Sequence, residues 1–121
     1  MASTIQAQYE ALTEEYRKTQ TDMSTLVEAR QKLESQLQEN LIVQKEFKGL
    51  DADASVYKLI GPVLVPQTKG EAEMNVDKRL DFIQSEIKRI EGQINETRAK
   101  SDKKRAEVIG MQAQLQATAG K

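Results

Sequence analysis

Over two long stretches of this chain apolar residues recur at alternating intervals of four and three, and that spacing constrains the fold more than any other feature. In the first stretch Ile5, Tyr9, Leu12, Tyr16, Thr19, Met23, Leu26, Arg30, Leu33 and Leu37 keep the alternation. In the second it runs through Val76, Leu80, Ile83, Ile87, Ile90, Ile94, Thr97, Ser101, Lys104, Val108, Met111, Leu115 and Thr118. A mean period of 3.5 held over this length produces a narrow seam and a left-handed supercoil, the pattern of a coiled coil and not of a globular amphipathic helix. Pairs such as Glu14/Lys18, Glu28/Lys32 and Glu96/Lys100 add modest i,i+4 support outside the seam. Ala, Glu, Lys, Leu and Arg supply somewhat under half of the residues, as in chains dominated by long helices.

Glycine and proline punctuate the chain unevenly. None occurs before Gly49, whereas Gly49, Gly61, Pro62, Pro66 and Gly70 crowd the middle. The spacing predicts a single domain over 1–121: a helix over about 3–49, a β-hairpin over about 55–67 and a helix over about 72–118. At about 1.5 Å per residue each helix is about 70 Å long, and equal lengths favour antiparallel pairing. Between Leu37 and Leu50 the first pattern loses phase: Leu41, Ile42, Val43, Phe47 and Leu50 give a broader apolar surface, for which extra packing partners are expected. The middle segment, Ser55 to Gln67, is rich in β-branched and aromatic residues around Gly61-Pro62, which predicts the hairpin. A variant carries one strand through Gly61-Pro62 and pairs it with Ala72 to Val76. In either form Val56, Tyr57, Leu59, Ile60, Val63, Leu64 and Val65 are apolar on both faces. A lone hairpin of this kind is marginal in water and prone to aggregate, so it must find strands and apolar surfaces from other chains. Those seven residues are the candidate assembly surface.

Composition narrows the chemistry. The chain has no Cys, His or Trp, which removes disulfides, thiolate metal sites and the commonest general base. No phosphate-binding glycine loop, nucleophile elbow or metal-ligand constellation occurs, so neither an enzyme nor a cofactor is expected. Carboxylates such as Glu14/Glu15 and Glu71/Glu73 are ordinarily solvated faces of charged helices. The cluster Lys103-Lys104-Arg105 is followed by Glu107 and has no interleaved aromatic for base stacking. With a formal net charge of −1, the chain lacks the dense basic footprint of a nucleic-acid binder. Neither a signal peptide nor an apolar run long enough to span a bilayer is evident, which predicts a cytoplasmic protein with no membrane partner.

Thr97, Ser101 and Lys104 break the second seam and, in an antiparallel hairpin, lie roughly opposite Thr19. They either specify register, as polar seam residues do, or loosen the free ends. In the second case Ile5, Tyr9, Leu12, Tyr16, Val108, Met111 and Leu115 become a candidate surface for nonnative chains, with Met111 an adaptable contact.

Three stretches carry a resemblance: Arg30 to Asn40 (RQKLESQLQEN), Val56 to Val65 (VYKLIGPVLV) and Lys78 to Ile83 (KRLDFI). Together they resemble the β class of prefoldin subunits over nearly the whole chain, the hairpin being the most specific. There is room for one hairpin between the helices, as in the β class, and Pro66 departs from the family's pattern at the end of the second strand. The resemblance implies a heterohexamer in which this chain joins two α-class and three further β-class subunits, their hairpins forming a double β-barrel. It also implies an ATP-independent cochaperone that captures unfolded actin and tubulin and delivers them to the cytosolic group II chaperonin. Carried onto this chain, the barrel contribution falls on Val56 to Val65 and the client-facing tips on the first and last turns of the helices. A structural coiled-coil subunit of a tether or scaffold is the alternative. It shares the heptads but leaves a doubly apolar hairpin between equal arms unexplained. An RNA-binding helical arm would need a basic stripe, which the matched Lys/Arg and Asp/Glu deny.

Overall fold

The computed structural model describes residues 2–119, and its elements follow in the order α1 (Ala2–Lys48), β1 (Val56–Ile60), β2 (Val63–Gln67) and α2 (Lys69–Ala119). The chain divides into two compact units. One, the hairpin unit, is Arg30–Arg89; the other, the arm unit, joins the chain up to Ala29 with the chain from Ile90 onward.

In the hairpin unit α1 ends at Lys48, where the N–H groups of Gly49 and Leu50 close tight bonds on the carbonyls of Glu46 and Phe47 at 3.1 and 3.2 Å. Lys45 and Lys48 lie in this last turn, where positive charge complements the helix dipole. A turn over Asp51–Ala54, closed by the Ala54 N–H on the Asp51 carbonyl at 3.0 Å, leads into β1. The strands pair antiparallel, Val56 with Gln67 through Ile60 with Val63, leaving Gly61-Pro62 as a two-residue turn. Gly61 has φ of 56°, a left-handed conformation that a side chain would strain, while Pro62 supplies a fixed negative φ. Positive φ at the first central residue alone is the pattern of a type II′ turn, whose twist matches that of the strands. The register excludes the variant in which one strand runs through Gly61-Pro62 and pairs with Ala72 to Val76, because the turn reverses the chain there and Ala72 to Val76 lie in α2. Pro66 does not shorten β2, which continues to Gln67.

The second helix starts at Lys69, three residues before the position expected from periodicity, because Thr68 caps it. The Glu71 N–H donates to Thr68 Oγ1 at 3.1 Å and the Thr68 N–H donates to Glu71 Oε2 at 3.3 Å. This reciprocal capping box satisfies two donors that a helix start leaves free, and it overrides the helix-weakening Gly70. Lys69 Nζ ties the capped start to the end of α1 by donating to the Leu50 carbonyl at 2.9 Å. Gln44 Nε2 donates to Asp77 Oδ1 at 2.8 Å, so positions advance along α1 as they recede along α2. Ala72, Val76, Leu80, Ile83 and Ile87 form the buried line of the unit.

The phase of the α1 seam is not lost after Leu37. Asn40, Gln44 and Phe47 continue the three-and-four alternation as half-buried positions, whereas Leu41, Ile42 and Val43 fall off the seam and are exposed. The broad apolar surface is only partly covered: Phe47 is half-buried, while Leu41, Val43 and Leu50 stay 37–40% exposed and Ile42 63%.

In the arm unit Ile90 and Ile94 are buried, and so are two polar residues, Thr19 and Ser101. Thr19 Oγ1 donates to the Tyr16 carbonyl at 2.6 Å, and Gln20 Nε2 reaches Ser101 Oγ at 3.5 Å. Lys104 Nζ donates to Glu15 Oε2 at 2.7 Å and lies 3.7 Å from Glu107 Oε2. Of the breaks in the second seam, Ser101 and Lys104 are thus met by polar groups of the first helix, whereas Thr97 is half-buried with no side-chain hydrogen bond among the described residues. The hydrogen bond and charge of Lys104 hold the Glu15 carboxyl below its ordinary range, and Glu15 holds Lys104 above its own. Beyond these contacts packing thins: among residues 4–18 and 102–119 none is fully buried.

Two outcomes follow from these contacts. Thr68→Ala is expected to cost about 1 kcal/mol, read as a lower thermal midpoint by circular dichroism; an unchanged midpoint would mean the capping box is not stabilising. Because the carboxyl of Glu15 titrates low in the folded arm, its contribution is full above the pKa of an unfolded glutamate and is lost as pH falls through the depressed value. Glu15→Gln should therefore lower the melting temperature at neutral pH and leave it unchanged in acid, a difference that shrinks as salt is raised.

Candidate functional site: an uncovered β-hairpin and half-packed helix ends

The geometry of the hairpin sorts its side chains into two faces. Side chains alternate along a strand and cross-strand partners share a face. One face therefore holds Tyr57, Leu59, Leu64 and Pro66, apolar throughout apart from the phenol hydroxyl. The other holds Val56, Lys58, Ile60, Val63, Val65 and Gln67. Neither is covered: Leu59 is 68% exposed and Leu64 62%, and only Val56 and Gln67, at the base, are half-buried. All seven residues expected to form an assembly surface thus lie on one two-stranded sheet, six of them exposed. The structure adds Pro66 to the apolar face and Lys58 to the other. Alternation in the sequence places Lys58 opposite in facing to Tyr57 and Leu59, but its pairing with Val65 needs the register.

The same unit exposes further apolar side chains off the heptad seam. Leu41, Ile42 (63% exposed), Val43 and Leu50 come from α1 and the segment after it, and Met74 and Phe82 (64% exposed) from α2. Met74 and Phe82 escaped attention in the sequence because they sit beside strong seam residues. The signal that could have found them is their offset from the alternation, Phe82 falling between the seam positions Leu80 and Ile83.

The residues expected at the helix ends all lie in the arm unit, and all are half-buried: Ile5, Tyr9, Leu12, Tyr16, Val108, Met111 and Leu115. They occupy the seam itself and do not stand free in solvent. Tyr9 and Leu115 also line an open, mainly apolar groove with Gln6, Gln112, Gln116, Thr118 and Ala119. Ile109, next to Val108 but off the seam, is exposed and was not anticipated. Two charged pairs flank these regions on the helix exteriors. Arg17 bonds to Glu14, and Arg89 Nη2 lies 2.7 Å from Glu86 Oε2, each lowering the pKa of its carboxylate through that hydrogen bond. Such exposed pairs orient side chains and supply no reactive group. Among the described residues no cluster of His, Cys, Asp or Glu could hold a metal, and no helix is long and apolar enough to cross a membrane.

Comparison with known proteins matches this geometry. The profile of a family described as "Prefoldin subunit" matches residues 10–115. The chain is 44% identical over 116 residues to prefoldin subunit 6 of Mus musculus, covering 96% of this chain and 91% of that one. The Homo sapiens protein of the same name gives the same identity and 90% coverage of its length. With prefoldin subunit 6 of Saccharomyces cerevisiae the identity is 49% over 94 residues, 78% of this chain and 82% of the other. Among solved structures, the prefoldin beta subunit from Thermococcus strain KS-1 shares the fold with a TM-score of 0.78 at 24% identity, covering 84% of this chain and 89% of that one. Two long helices joined through one exposed antiparallel hairpin, with identity of this order across nearly the whole length, place the chain in the prefoldin family of chaperone subunits.

Proposed function

We propose that this chain works as a β-class subunit of a heterohexameric prefoldin, with two α-class and three further β-class subunits, and that it enters the assembly through its hairpin. The observation that carries the reading is the apolar face of Tyr57, Leu59, Leu64 and Pro66, uncovered and bounded by two open strand edges. Hairpins of several subunits closing into a β-barrel would bury that face and remove the edges together. Lys58, on the opposite face, would stay in water or meet a carboxylate of a neighbour.

The client-binding role belongs to the helix ends. Their apolar residues are half-buried, and the polar layer of Thr19, Ser101 and Lys104 interrupts the apolar seam that would otherwise zip them. Separation of the ends would free Ile5, Tyr9, Leu12, Tyr16, Val108, Met111 and Leu115 for an unfolded chain. Each contact is weak, but several arms acting on one client give avidity without specificity for a particular sequence. Cytosolic capture of unfolded actin and tubulin, without ATP, and their delivery to the group II chaperonin fit this arrangement. Release would then depend on the receiving chaperonin or on folding of the client.

Light scattering on the chain alone and co-expressed with α- and β-class partners tests the assembly. A defined heterohexamer formed only with partners is the expected result, and a stable monomer or homodimer in every mixture would favour a scaffold coiled coil instead. Leu59→Asp combined with Val63→Asp should abolish incorporation while helical circular dichroism persists; normal incorporation would refute the barrel role. Serine at Ile5, Tyr9, Met111 and Leu115 together should weaken suppression of actin aggregation several-fold at unchanged assembly mass. Full suppression by that variant would show that the ends of this subunit are not a client surface.

A further inference from the structure

The register of the hairpin determines which of its backbone groups are already paired. A two-residue turn makes Ile60 and Val63 a hydrogen-bonded pair, and alternation along an antiparallel ladder then makes Lys58/Val65 and Val56/Gln67 the next ones. The N–H and C=O groups of Tyr57 and Leu59 consequently point away from β2, and those of Leu64 and Pro66 point away from β1. The outer edge of β1 thus offers donor and acceptor at both Tyr57 and Leu59. On the outer edge of β2 only Leu64 offers both, because Pro66 has a carbonyl and no N–H. Proline is tolerated within β2 for the same reason: at this position the missing N–H takes nothing from the ladder with β1. The sheet has two strands, and no third strand lies beside either edge among the described residues.

We infer that the hairpin is a directional connector, in which the outer edge of β1 is the principal pairing edge for a strand of a partner prefoldin subunit and Pro66 weakens the outer edge of β2. The inference rests on the hairpin-mediated assembly proposed above and goes beyond it by ranking the two edges. A β-strand is the fitting occupant because donors and acceptors two residues apart, at Tyr57 and Leu59, match the spacing of another strand's backbone. The exposed side chains of the same two residues supply apolar cross-strand contacts. A strand along β2, which barrel closure also brings, has a carbonyl opposite Pro66 that finds no donor there, so that edge pairs less strongly. The asymmetry gives an otherwise nearly symmetric apolar hairpin a defined order of neighbours.

Residue-resolved hydrogen exchange on the chain alone and in the co-purified assembly tests this, since all three outward amides are open to water in the free chain. On assembly the Tyr57 and Leu59 amides should slow by about tenfold more than that of Leu64, a difference well within the range that local stability produces. Pro66→Val restores the donor and should raise Leu64 protection toward that of Leu59, with its own new amide protected as well. Equal or greater slowing at Leu64 in the unsubstituted assembly would overturn the ranking while leaving hairpin-mediated assembly standing. Assembly of the expected mass with no slowing at any of the three amides would overturn the hairpin reading itself, and the ranking with it.

Discussion

A pair of antiparallel strands has two faces and two edges, and the rest of this protein depends on how few of them its own chain can cover. The strands are made of Val, Ile, Leu and Tyr, residues suited to a sheet interior, yet the hairpin projects them into solvent. A helix can bury a seam against one partner helix, but here each helix commits that seam to the other. Among the described residues nothing covers most of the hairpin's apolar side chains. The apolar residues off the seam, Leu41 to Val43 on α1 and Met74 and Phe82 on α2, extend the same problem within the hairpin unit. They become intelligible as parts of a subunit rather than of a self-sufficient monomer.

Burial along the seams is uneven, and side-chain chemistry accounts for it. From Ala72 to Ile94 the seam of α2 is uninterrupted aliphatic and buried, with Ile83 only 3% exposed. The residues of α1 on its seam include Arg30, Asn40 and Gln44, which are only half-buried; Asn40 and Gln44 direct their amides to the Gln36 carbonyl and to Asp77. In the arm unit Thr19 is buried and bonded within its own helix, while Gln20 to Ser101 and Lys104 to Glu15 are the directed contacts between the helices. Polar seam contacts of this kind specify pairing at some expense in stability. Beyond these contacts the apolar seam residues toward the helix ends are half-buried, as are Met23, Leu26, Leu33 and Leu37 nearer the hairpin.

Much of this was legible in the sequence because a coiled coil writes its packing directly into residue spacing. The seam positions of α2 agree with the buried or half-buried residues from Val76 to Leu115, and Gly61-Pro62 marked the turn. Apolar character misled where it departed from that spacing. Leu41, Ile42 and Val43 suggested a seam losing its phase, whereas polar Asn40 and Gln44 in fact carry the phase onward. The early start of α2 is also readable in principle, since Thr68 followed three residues later by Glu71 is a capping-box pattern that outweighs the helix-weakening Gly70. Pro66 could be identified as unusual, though not as harmless to the ladder, because that depends on which strand its missing N–H would have faced.

The sequence by itself determined two coiled-coil helices, a hairpin between them and the apolar excess of that hairpin, because periodicity, turn residues and composition are local properties. Tertiary structure alone decided how cross-strand partners group the hairpin side chains, which backbone groups point outward, and that Ser101 and Lys104 meet Gln20 and Glu15 across the seam. Those features depend on register, and register is a relation between residues far apart in the chain that no local pattern contains.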